Sequence, residues 1–253
     1  MTFFSDGVRA LLSPRYTPAT QRFLAGVARE QDRQYAQGGG GVSLGWLATQ
    51  VAEAVGLAPP DAVRVGHLLD LLQPAIDLAD NLADAEEDQA AGRDPRARYP
   101  GVPRAGLPFL PALAVGTVVA ELSRFPVPLR GVHAVDRLLS TLGALNEVQA
   151  RPLGMGHRSR DIGIHFVTLA CVPAWLVPTA GEGLLDEAAV ECWARRVGAT
   201  VQTRWDALED PGNQRLRLRF LRLRRAALRD WPTSRPFGAG CALSASRVLP
   251  GLP

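Results

Sequence analysis

Residues 76–88 read IDLADNLADAEED, a stretch with six carboxylates at the end of a long apolar run. On a helix, Asp77, Asp80, Asp84 and Asp88 are spaced by three, four and four residues and so share one face. Like charges at that spacing repel by roughly a few tenths of a kcal/mol per pair unless a cation neutralises them. Mg²⁺ suits the task, because it takes one or two carboxylates and completes its shell with water and phosphate oxygens. A second cluster lies about half a chain later in RVGATVQTRWDALED, where Asp206, Glu209 and Asp210 end another amphipathic stretch. A single acidic run most often marks a solvated helix face. Two of them on separate apolar helices allow facing carboxylates, the way helical bundles build metal sites from inward side chains.

Facing carboxylates need rigid carriers, and the apolar periodicity is helical nearly throughout. TPATQRFLAGVAREQDRQYA aligns Phe23, Leu24, Val27 and Ala28 and runs into four glycines, Gly38 to Gly41. SLGWLATQVAEAVG opens on Ser43 as a helix N-cap and stops at Gly56. After APPD, one long helix is expected from near Asp61 to Asp88, kinked at Pro74. Asp70 and Asp77 would then extend the acidic face by a seven-residue interval. GRDPRARYPGVP reads as a loop, and further helices are expected near 107–124, 129–150, 161–178, 184–209 and 213–230. The tail 231–253, rich in Gly, Pro and Ser, is expected to be extended or frayed. No β alternation, repeat or linker interrupts the pattern. The expectation is one all-α domain over 1–253, with its core at about 17–230.

Composition narrows the chemistry. The 253 residues are 47% apolar and 21% charged, ordinary for a globular protein and too polar for a membrane bundle. Neither a spanning segment nor a signal peptide is evident, which makes the cytoplasm the expected location. Cys171, Cys192 and Cys241 are odd in number and far apart, so neither a disulfide framework nor a Cys-x-x-Cys pair is available. No two of the four histidines have zinc spacing. All 28 basic residues are Arg, and net charge is only +3. Any basic grip must therefore use the planar guanidinium fork rather than an ammonium.

With these residues in place, the chain resembles the trans-isoprenyl diphosphate synthases. Their Asp-Asp-x-x-Asp motif is matched by DNLAD, with Asp80 and Asp84 kept and Asn81 in the second place. Asp70 stands ten residues upstream, where the family favours an acid. The second motif, Gly-x-x-x-Gln-x-x-Asp-Asp-x-x-Asp, aligns without a gap to GATVQTRWDALE. Gly198, Gln202 and Asp206 match, Glu209 replaces the last Asp, and Trp205 replaces the first of the pair. Val148–Gln149 falls at a Gly-Gln pair, Thr168 at a Lys-Thr pair, and Gly92–Arg93 at an Arg-Arg-Gly run. The likeness covers roughly Thr20 to Asp230 and rests on motif order and separation.

The resemblance implies an isoprenoid-synthase bundle with a central cavity, a homodimer, and head-to-tail prenyl transfer between an allylic diphosphate and isopentenyl diphosphate. It implies Mg²⁺ held by Asp80, Asp84 and Asp206, with Glu209 and Asp210 beside them. The catalytic set would be Asp80, Asp84 and Asp206. Gln202, Arg93, Thr168 and Gln149 would touch the prenyl diphosphate substrates. The departures are systematic, since the Gly-Lys-Arg run and every family lysine are missing. Each charge-assisted hydrogen bond lost is worth roughly 1.5–3 kcal/mol. The alternative expectation is thus a catalytically impaired homologue kept as a binding or partner subunit.

Other features carry weaker readings. NQRLRLRFLRLRRAALRDW sets Leu216, Phe220, Leu223 and Ala227 on one stripe and arginines over most of the rest. Its plain reading is a surface helix whose Arg stems cover apolar surface. Two others are a substitute grip on diphosphate and a peripheral contact with anionic membrane. Nucleic acid is the weakest, since aromatic interleaving and overall basicity are missing. His67, His157 and His165 read as packed or rim histidines. The GGGG run reads as a joint rather than a phosphate cradle, because no strand precedes it and no Lys follows.

Overall fold

Thr17 begins the described helices: its hydroxyl accepts the Thr20 N–H at 3.3 Å, and Pro18 takes the first helical position. The computed structural model describes residues 16–37, 43–83, 102–125, 128–150, 158–177, 191–195 and 198. Side chains are described for all of these except 34–37, 54, 80–83, 128–130 and 158–160. In order come α1 (Pro18–Gln37), α2 (Leu44–Ala54), α3 (Pro59–Asp70) and α4 (Gln73–Ala83). After a 3-10 turn, Arg104–Phe109, follow α5 (Leu110–Leu122), α6 (Pro128–Gln149) and α7 (Arg158–Ala170), then a second 3-10 turn, Val172–Trp175. Residues 191–195 are helical as well. No strand occurs among the described residues, so the expected all-α class holds.

The α2–α3 pair is the most closely packed. A Cβ on Gly45 would sit 2.1 Å from the Gly66 carbonyl oxygen, and one on Gly66 would sit 2.0 Å from Thr49 Oγ1. Backbone meets backbone there because neither residue has a side chain to hold the helices apart. Gly56 closes α2 with φ +88°, its N–H bonding the Glu53 carbonyl while the Leu57 N–H bonds that of Ala52. That is a Schellman cap, the stop expected at this glycine.

Helix α5 lies against α3, α4 and α6, and its stripe Leu110, Ala114, Val118 and Leu122 is fully buried. Residues 104–122 are long and apolar enough to cross a membrane by composition, yet this stripe belongs to the common core. Glu121, 8% exposed, ties α3 to α5 by accepting from Arg64 at 2.8 Å while Arg124 pairs with its other oxygen. Helix α6 packs on α7 and on the Val172–Trp175 turn. Arg137 of α6 reaches Glu191 at 3.0 Å and lies over the Trp175 ring, which docks residues 191–195 on that side.

One expectation needs correction. The stretch 61–88 is not one kinked helix: α3 runs from Pro59 to Asp70, two residues turn, and α4 starts at Gln73. Proline lacks an N–H, and the N–H groups of a helix's first turn have no partner inside the helix, so Pro74 is accommodated in the first turn of a new helix. Asp70 and Asp77 therefore lie on different helices and do not continue one face.

Candidate functional site

Helix α4 carries the first acidic cluster. Ala75 and Leu78 turn into the core at 4% and 1% exposure, while Asp77 stands half-buried beside them. Asp80 follows one turn later on the same helix; its side chain lies outside the described residues. Against this helix packs α1, whose buried stripe reads Leu24, Val27, Ala28, Gln31. Gln31, 1% exposed, donates from Nε2 to Asp77 Oδ2 at 3.2 Å. A carboxylate only accepts, so the amide nitrogen must face it and the amide oxygen is the atom left over. That oxygen is buried and finds no hydrogen-bond partner among the described residues.

Asp70 serves a different purpose. The N-terminus of α2 has backbone N–H groups with no partner inside the helix. Three side chains supply them: Gln73 Oε1 accepts from Leu44 at 3.0 Å, Asp70 Oδ1 from Gly45 at 2.6 Å, and Ser43 Oγ from Trp46 at 3.0 Å. All three side chains are buried, and the Ser43 hydroxyl also donates to Asp70. Burial is the main reason the Asp70 carboxyl is pushed up to about 7. The bonds from Ser43 and Gly45 pull the other way, and Asp32 of α1 adds to the rise. The acid ten residues ahead of Asp80 is thus committed to capping a neighbouring helix.

The remaining expected contacts divide. Thr168, half-buried on α7, donates its hydroxyl to the Ile164 carbonyl at 2.8 Å. Gly198, the first residue of the second motif, packs on the same turn. A Cβ there would lie 2.3 Å from the Gly163 carbonyl oxygen and 2.5 Å from Ile164 Cα. The fold therefore brings the start of the second motif to within one helical turn of Thr168. Gln149, buried at 5% exposure, ends α6. Asp84, Arg93, Gln202, Asp206, Glu209 and Asp210 lie outside the described residues, as do Trp205, His157, Gly38 to Gly41 and the arginine-rich stretch 213–231.

Among the described residues, no group of three or more His, Cys, Asp or Glu is placed to hold a metal ion. The oxygen donors described there are of the kind a hard cation takes, but they are too few to hold one. The donors are all oxygen, and an orphaned buried amide oxygen stands beside the Asp77 carboxylate. Sequence patterning overlooked Gln31 and Gln73. Gln31 did leave a signal, being the polar member of an otherwise apolar i, i+3, i+4, i+7 stripe. Gln73 left none, because its partner Leu44 is 29 residues away. No family model, no curated protein and no solved structure matches the chain.

Proposed function

We propose that the chain is a polyprenyl-diphosphate-synthase-like protein of the isoprenoid-synthase bundle type, acting on prenyl diphosphates with Mg²⁺ in head-to-tail prenyl transfer. The observation that supports this reading is that the helices carrying the first motif and Thr168 both pack into one helical core. Helix α4 carries Asp77 and Asp80, and Gly198 packs on Gly163 and Ile164 of α7, a turn before Thr168. When bound, Mg²⁺ would supply Lewis-acid stabilisation to a departing diphosphate and hold it in place.

Asp80, Asp84 and Asp206 would be the catalytic carboxylates that hold the ion, with Glu209 and Asp210 at the second helix end. Gln149, Thr168, Gln202 and Arg93 would position the diphosphates. The allylic carbon–oxygen bond ionises, and diphosphate leaves with the bonding pair. The isopentenyl double bond then attacks the cation, and a proton is lost. The test is incubation with isopentenyl diphosphate, an allylic diphosphate and Mg²⁺, with Asp80→Ala as control. A longer prenyl product made by the wild type and absent from the variant is the expected result. No product and no Mg²⁺-dependent diphosphate binding would sink the proposal.

A second reading, the impaired homologue acting as a binding or partner subunit, also has an observation behind it. The helix N-terminus next to the glycine run is a natural anion site, yet its first three N–H groups are taken by Gln73, Asp70 and Ser43. A phosphate at that helix end would find the N–H groups of Leu44, Gly45 and Trp46 already taken, and the chain has no Lys to add to them. On this reading diphosphate binds without turnover. Under either reading the chain forms a homodimer, supported by an uncharged outer face of α5 that leaves Phe109 at 65% exposure.

A further inference from the structure

We propose that Arg64 and Arg124 form a surface site for a phosphate group, built from none of the residues assigned to prenyl transfer. The site begins with an excess of charge. Glu121, in the last turn of α5, is 8% exposed and holds two guanidiniums: Oε2 accepts from Arg64 Nη2 at 2.8 Å, and Oε1 accepts from Arg124 Nη1. One cation is enough to neutralise a buried carboxylate. Two guanidiniums against one carboxylate leave a net charge of +1 where the end of α5 meets α3.

Both guanidiniums have donors to spare. An Arg offers five N–H groups, and each of these spends one on Glu121. Among the described residues neither has another carboxylate partner, and Asp61, three residues before Arg64 on α3, pairs with neither. The carbonyls of Val119, Glu121 and Leu122 accept instead from the N–H groups of Ser123, Arg124 and Phe125. The side chains of Arg64 and Arg124 are 39% and 38% exposed, so their unspent donors reach solvent. Their positions are held as well. Glu121 grips both from the buried side, and Arg64 lies 5.4 Å over the centroid of the buried Phe125 ring, which fixes the plane of its fork. A ligand that complements two such forks is an anion with more acceptors than a carboxylate, which can span the pair only as Glu121 already does. A phosphate group has oxygens enough to take paired bonds from one fork and a further bond from the other.

The test titrates inorganic phosphate into the full chain with EDTA present, which silences any Mg²⁺-dependent diphosphate binding. Sodium chloride and sodium acetate at matched ionic strength are the controls. Binding is read from assigned arginine Nε–H signals by heteronuclear NMR. The expected result is saturable movement of the Arg64 and Arg124 signals with phosphate, and no saturation with chloride or acetate. Glycerol phosphate as a further titrant tells a monoester from the free ion, and saturation by either at these two residues supports the proposal. Arg124→Gln leaves Glu121 paired with Arg64 and should weaken phosphate binding about tenfold without changing the phosphate-free melting temperature. Signals that move alike with phosphate and chloride overturn the proposal, as does wild-type phosphate affinity in Arg124→Gln. If Arg124→Gln fails to fold, the wild-type titration decides: saturation at other arginines, with Arg64 and Arg124 unmoved, overturns the proposal.

Discussion

Burial lifts the Asp70 carboxyl to about 7, whereas in the unfolded chain it returns to about 4. Between those values the folded state holds a proton that the unfolded state has lost. Stability contributed by Asp70 is thus complete below about pH 4 and declines as pH rises through about 7. The gap of about three pH units corresponds to a loss on the order of 4 kcal/mol. Asp70→Asn keeps an acceptor for the Gly45 N–H and carries no charge. Urea denaturation at pH 5 and pH 8 should find wild type losing stability relative to Asp70→Asn as pH rises, with the variant the more stable at pH 8. Equal changes in the two proteins would mean that Asp70 stays ionised when folded. Its place in the sequence was legible, but its job was not. The Gly45 N–H it caps is 25 residues away, and only the crossing of α2 and α3 brings the two together. A carboxylate ten residues ahead of Asp80 fits a metal-bearing helix and a helix cap equally well until that crossing is known.

At the scale of elements, three glycines separate three physical effects. Gly56 has open space around it and a left-handed φ, so Gly56→Ala should cost about 1–2 kcal/mol through backbone strain alone. Gly66 lies at the α2–α3 crossing, where an added methyl meets Thr49 and the Gly45 carbonyl. Gly66→Ala should cost about 3 kcal/mol or a little more, because the helices must move apart to admit it. Gly143 lies inside α6 with nothing near its missing Cβ, so Gly143→Ala should stabilise by about 0.5–1 kcal/mol. Chemical denaturation ranks all three, and the reverse order for Gly66 and Gly143 would contradict the packing described. Helix ends governed by local chemistry were readable here: Ser43 caps α2 and Gly56 ends it, both at the expected positions. The break after Asp70 was not. Pro74 announces an interruption, but a kinked helix and two separate helices give the same apolar pattern. Tertiary contacts decide between them when Leu71 and Leu72 bury in the turn.

For the molecule as a whole, class was legible and assembly is the open consequence. Helical periodicity needs only the 3.6-residue repeat, which local sequence carries, so the all-α class could be read directly. Which helices meet depends on crossing angles that no local pattern encodes. No local pattern foretells that Gly198 packs on Gly163 and Ile164 of α7, a turn before Thr168. The same holds for the outer surface of α5. Residues 105–120 contain no charge, and Phe109, Ala112 and Gly116 form an exposed line while Leu110, Ala114 and Val118 fill the core. A helix apolar on both sides suits burial on both sides. The homodimer proposed above would cover that line, with Phe109 as its largest anchor. Gly116→Arg places a charge at its centre without touching the core stripe. Sedimentation at tens of micromolar should show a dimer for wild type and a monomer for Gly116→Arg, with helical content unchanged by circular dichroism. A dimer that survives Gly116→Arg would move the interface elsewhere, with the exposed Val132 and Leu139 of α6 as the next surface to test. A monomeric wild type would remove the homodimer from the proposal and leave the outer face of α5 facing water.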